Sequence, residues 1–138
     1  MERTLPLEKG EIVLGEEKIT IRDKEKRELY IRITSSVIWA IYGALSVLRY
    51  MKTGDEFLLW SGIIIGPLHL AVLIYGLTRT SKGEVYLQEI KMAVFKKRNG
   101  NNFLDLKLKG GRKRRISKIE PVSDELRAFF IENHIQVQ

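Results

Sequence analysis

The chain has no cysteine. Disulfides, thiolate metal sites and cysteine nucleophiles are therefore excluded. A reducing compartment is compatible with that absence but does not follow from it. Histidine is almost missing as well, with only His69 and His134. No Ser–His–acid set and no metal-ligand spacing can be built from them. Gly110-Gly111 lacks the Lys-Ser/Thr and following helix of a phosphate loop. Glu84, Glu89 and Asp105 are scattered carboxylates with no pairing argument. Neither an enzyme, nor a metal, nor a cofactor is expected. The first 28 residues mix both signs of charge, with no apolar core behind a basic start, so no cleavable signal peptide is expected.

Charge is missing in two places. Residues 33–48 contain none in 16 positions, and residues 57–78 none in 22. The second stretch, FLLWSGIIIGPLHLAVLIYGLT, would span about 33 Å as a helix, against a bilayer hydrocarbon thickness of about 30 Å. The first is worth about 24 Å by the same rise, and reaches adequate length if Arg32 and Arg49 extend their stems to the interfaces. Tyr30, Tyr50, Phe57, Trp60 and Tyr75 lie near the ends, where interfacial aromatics belong, while Trp39 and Tyr42 sit deeper. A buried hairpin in a soluble protein would need a shell that some 90 charge-rich residues cannot supply. The expectation is a transmembrane helical hairpin over 29–78, with helices at 29–51 and 57–78 joined by KTGDE.

Small residues suggest how the two helices meet. Ser36, Ala40 and Ala44 recur every four positions with Gly43 beside them, and Gly62-x-x-x-Gly66 lies on the second helix. Close approach over small residues is a principal source of helix association in lipid. Self-association through the same glycines is a further option. Pro67 removes the amide that would pair with the Ile63 carbonyl. His69, near mid-membrane, reads either as a proton relay or ligand or, more simply, as a neutral side chain bonded to Ser35, Ser36, Ser46 or a free carbonyl.

What is present outside these stretches is charge. The net +7 is local: residues 1–32 hold eight basic and eight acidic side chains, whereas residues 79–138 hold fourteen and seven. The loop between the helices has only Arg49 and Lys52 as cations, and Lys24, Lys26, Arg27, Arg32, Arg79 and Lys82 flank the outer ends. Both termini are therefore expected in the cytoplasm.

Ile12/Leu14 and Ile19/Ile21 alternate around Gly15-Glu16-Glu17, reading as two strands. After the hairpin, the pattern continues through EVYLQEIKMAVFKK, with Asn99-Gly100 and Gly110-Gly111 as turns in a meander at 90–98, 102–109 and 112–118. Ser123 is expected to cap a final helix at 123–133, with Leu126, Phe129 and Phe130 as its apolar face. Six strands are counted in all. An isolated two-stranded hairpin is marginal in water, so the two strands before residue 29 are expected to pair with those after residue 78.

The order of strands, then YLQEIKMAVFKK, NNFLDLKLKGGRKRRI and the helix SDELRAFFIENHI resembles the bacterial pleckstrin-homology-like domains, in particular small membrane proteins pairing such a domain with a helical hairpin. The resemblance covers most of residues 10–135. It implies an α+β fold: a β-sandwich or split barrel, formed by residues 1–28 and 79–138 and closed by the C-terminal helix. It implies a binding or scaffolding module at the cytoplasmic face of a bacterial inner membrane.

Candidate binding residues are Lys96, Lys97 and Arg98, and Lys107, Lys109, Arg112, Lys113, Arg114 and Arg115, with Lys118 nearby. Each cation held near an anionic leaflet contributes about 1 kcal/mol. The run reads as a weak electrostatic contact with anionic lipid more than as specific lipid recognition, since a solvated strand face carries the same residues and neighbours on a strand alternate sides. Expected partners are the bilayer, anionic lipids, and a protein partner or second copy. Nucleic acid is disfavoured: Phe95 and Phe103 could stack bases, but both also suit a core, and no recognition motif is present. The alternative function is a small accessory subunit of a larger membrane complex or transporter.

Overall fold

The computed structural model describes residues 2–138. The chain divides into two compact units: residues up to Lys26 together with Arg79–Gln138, and Arg27–Thr78. Among the described residues, the first carries eight strands and the short helix, and the second nearly all of the two long helices. The architecture is α+β.

In the first unit, β1 (Arg3–Leu7), β2 (Gly10–Leu14), β3 (Lys18–Arg22) and β4 (Glu84–Tyr86) form an antiparallel sheet in that order. A second sheet has the order β7 (Lys113–Ser117), β6 (Asn101–Leu108), β5 (Ile90–Arg98) and β8 (Gln136–Val137), with only the β5–β8 pair parallel. The period of two along each strand sends Ile12, Leu14, Ile19, Ile21 and Val85 from the first sheet, and Leu104, Leu106, Leu108 and Ile116 from the second, into one apolar cluster. Helix α3 (Ser123–Glu132) adds Leu126 and Phe130, and Phe130 meets Phe95 edge-on at 6.5 Å. The sheets stay separate and close into no barrel.

Among the described residues eight strands replace the six expected. The overlooked β1 contains Pro6, which argues against a strand unless the strand lies at an edge, and β1 is the outer strand of its sheet. The overlooked β8 is two residues long and follows His134, which has a positive φ of 57°. Asn99 and Gly100 both have positive φ, as a tight two-residue hairpin turn demands. A bulge at Ile90/Met92 leaves Lys91 without a partner in the β5–β6 ladder. Ser123 is not the helix cap: a 3-10 turn, Glu120–Val122, runs straight into α3, so Ser123 already has helical dihedrals and Val122 takes the cap position without a side-chain bond.

The second unit contains nearly all of α1 (Glu25–Thr53) and the whole of α2 (Glu56–Leu77). α1 is longer than the 29–51 expected and α2 is displaced by one residue from 57–78. Gly54 ends α1 with a positive φ of 72°, and Asp55 caps α2 by accepting from the Phe57 amide at 3.0 Å. Both helices are long and apolar enough to cross a membrane, and only 17% and 6% of their most apolar windows are buried within the protein. A helix at the core of a soluble protein would have those shares reversed.

Candidate functional site

The register across the second sheet decides which basic residues share a face. Val94 pairs with Asp105, and Asp105 with Arg115; one step along, Lys107 pairs with Lys113, and in the other direction Lys96 with Phe103. These residues occupy the side of the sheet away from the apolar cluster. Asp105, a buried carboxylate, is held there by a two-pronged bond to Arg115, at 2.7 and 2.9 Å, with Lys96 Nζ at 3.9 Å. The Arg115 guanidinium also lies 4.3 Å from the centre of the Phe103 ring, which fixes its plane. The result is a face with Lys96, Lys107 and Lys113 arranged around a neutralised Asp105–Arg115 pair.

The run Arg112–Arg115 therefore does not act as a block. Arg114 points inward and is 1% exposed. Its guanidinium binds Asp23 at 2.8 Å and the carbonyls of Lys82 and Arg115 at 2.9 and 2.6 Å. It is a structural cation, not a surface one. Arg112 and Lys109 sit at the β6–β7 turn, while Lys97 and Arg98 are exposed at the far end of β5. Lys118 pairs with Glu8.

Sequence reasoning did not find the residues that bind the chain where it leaves and rejoins the first unit. Asp23 and Glu25 precede the apolar part of α1, and Arg79 follows α2. Arg79 lies 3.8 Å from Glu25, both side chains nearly buried, and Asp23 belongs to Arg114. The available signal was the cluster of opposite charges just outside the two apolar stretches. Thr80 is also buried, and its amide donates to the Lys113 carbonyl at 2.9 Å.

Within the second unit the helices touch over glycine. A Cβ on Gly43 would stand 2.5 Å from Gly66 Cα and 3.1 Å from the Gly62 carbonyl oxygen, and one on Gly76 would stand 3.2 Å from Ile33. Position 33 opposite 76 and position 43 opposite 66 make the pair antiparallel. Ser36 is buried in the pair, Ala40 is half-buried, and Ala44 is exposed. His69 stacks on Trp39 at 5.7 Å, with 20° between the rings. Among the described residues its Nδ1 has no hydrogen-bond partner, so none of Ser35, Ser36 and Ser46 satisfies that nitrogen.

Among the described residues no group of three or more His, Cys, Asp or Glu side chains could hold a metal ion. No family model matches the chain, nor does any curated protein or solved structure.

Proposed function

We propose that this chain is a membrane-anchored binding or scaffolding module of the bacterial cytoplasmic membrane, with both termini in the cytoplasm. The observation that carries the proposal is the outward display of large apolar side chains along α1 and α2, such as Ile38, Trp60 and Ile64, each about 60% exposed. Water penalises that display at about 25 cal/mol per Å², and hydrocarbon does not. The scarcity of cations between the helices, against their abundance on the outer flanks, supports the sidedness. Two four-stranded sheets over one core, with a terminal helix packed on it, support the pleckstrin-homology-like reading of the other unit.

The Lys96–Lys107–Lys113 face is the surface with the charge to meet an anionic leaflet or an acidic protein. The test is extraction and labelling. Alkaline carbonate should leave the chain in the membrane pellet, and a Thr53→Cys thiol should react with an impermeant maleimide from outside while a Glu132→Cys thiol should not. Release by carbonate, or the opposite labelling pattern, overturns the anchoring or the sidedness respectively. The native absence of cysteine makes the labelling clean.

A second reading, an accessory subunit of a larger membrane complex, is favoured by a shallow apolar groove of about 600 Å³ lined by Ala40, Ala44, Val47, Ile63, Pro67 and Leu70. Crosslinks from Ala44 to another membrane protein would decide for it.

A further inference from the structure

Beside the β6–β7 turn lies a recess of about 490 Å³ whose walls include Thr80, Lys82, Glu89, Lys109, Gly110 and Arg112. That volume is within the range of small-ligand sites, about 300–1,000 Å³. Three cations face one carboxylate, so the lining carries an excess of two positive charges. The turn is held by its own backbone: Leu108 donates to the Arg112 carbonyl at 2.9 Å, Gly111 to that of Leu108 at 3.0 Å, and Lys109 to that of Glu89 at 2.8 Å. Lys109 and Arg112 thus project from a fixed base. Lys82 lies 3.9 Å from Glu89 with both side chains about half exposed, a loose pair that a stronger anion can displace.

Thr80, 7% exposed, forms part of the wall. Its hydroxyl accepts from the Lys82 amide at 3.4 Å. A Cβ on Gly110 would meet nothing within 4 Å, so the space beside that residue is open. Arginine, lysine and a hydroxyl lining one positively charged recess are the groups that recognise phosphate.

We propose that this recess seats the phosphate of an anionic glycerophospholipid headgroup. The choice of lipid rests on the membrane reading above. Thr80 follows Leu77, the last residue of α2, by three positions, a covalent reach of at most about 10 Å. If α2 spans the bilayer, that reach covers the headgroup layer, which adds about 5–8 Å on each side of the hydrocarbon. The excess positive charge selects a headgroup without a compensating ammonium.

The test is native mass spectrometry of the full-length chain in detergent, titrated separately with phosphatidylglycerol, phosphatidylethanolamine and inorganic phosphate. Phosphatidylglycerol should be retained, and Lys109→Gln with Arg112→Gln should weaken it about tenfold or more. Thr80→Val should weaken it and Thr80→Ser should restore it. The control Lys9→Gln with Lys91→Gln should change it less than about twofold. Unfolding temperatures matching the wild type show that each variant is folded. Wild-type affinity in the recess variants, or equal retention of phosphatidylethanolamine, overturns the proposal. Displacement of the lipid by an equal concentration of inorganic phosphate overturns the lipid source and assigns the recess to a soluble phosphate. An anchored chain indifferent to these substitutions loses the recess alone. A chain stripped from membranes by carbonate loses the anchor and the lipid together.

Discussion

Three of the glycines between the long helices, Gly43, Gly62 and Gly66, are not equivalent, and their differences can be measured. A methyl group on Gly43 would sit 2.5 Å from Gly66 Cα and 2.7 Å from Gly66 N. Ordinary carbon–carbon contact is about 3.5 Å or more, so the helices must part by about 1 Å. Both obstacles are backbone, and no side-chain rotation relieves them. Overpacking costs about 1–3 kcal/mol, and a rigid backbone obstacle belongs in the upper part of that range. Alanine returns up to about 1 kcal/mol of helix propensity. The net expectation for Gly43→Ala is destabilisation by about 1–2 kcal/mol. Gly62→Ala belongs with it, since its methyl would stand 2.7 Å from the Gly43 carbonyl oxygen and 2.8 Å from Val47 Cγ2. Gly66→Ala is different: its nearest neighbour is Gly43 Cα at 3.6 Å, an ordinary contact. That variant should be neutral or slightly stabilised. The assay is equilibrium unfolding in mixed micelles with rising dodecyl sulfate, followed by tryptophan emission. Trp39 and Trp60 are the only tryptophans and both lie in these helices, so the signal reports on them alone. Equal losses at positions 43 and 66, or none at 43, would refute the packing argument.

Four further outcomes can be checked. Arg114→Ala should destabilise the sheet unit by about 3–5 kcal/mol in chemical denaturation, because it strands Asp23 and two carbonyls; Arg114→Lys should not restore it, since one ammonium cannot reproduce the fork. The Asn102 amide, 2.5 Å from Glu120, holds the Glu120 carboxyl below its ordinary value near 4.5. A depressed folded pKa stabilises above the unfolded value, so the excess melting temperature of wild type over Glu120→Gln should hold above about pH 5 and vanish as pH falls through the lowered pKa. His69→Phe keeps the ring on Trp39 and removes an unpaired nitrogen, so unfolding in micelles should be unchanged or raised; a clear loss would reveal a partner for Nδ1. Replacing Lys96, Lys107 and Lys113 by Gln should lower sedimentation with anionic vesicles of a preparation reconstituted with the sheet unit outward, and added salt should erase the difference.

The two long helices were legible from charge alone, because 22 consecutive uncharged residues at helical rise leave few other structures. The meander was legible from alternation and from Asn99-Gly100. What escaped was set by tertiary context. Pro6 hides β1 unless its edge position is known, and β8 is too short to have a period. The basic run 112–115 illustrates the gap within the site. Alternation announces that Arg114 and Arg115 face opposite ways, but not which one is buried. That depends on Asp23, 91 positions away, and on Asp105 directly across the ladder. Lys82, Lys109 and Arg112 share a recess for the same reason: folding, not spacing, brings them together. His69 was legible as an oddity, and its stacking on Trp39 follows only from the helix pairing.

The ladder between β3 and β4 constrains how this chain can meet a bilayer. Ile19 lies across from Val85, so residues 22 and 84 occupy one compartment. Whatever runs between them must come back to the side it left: it traverses the barrier twice or never. Threading α1 alone would maroon β4, leaving Ile19 and Ile21 on a ribbon with a bare flank open to pairing with other chains. Completion of this sheet is thus tied to an even number of crossings.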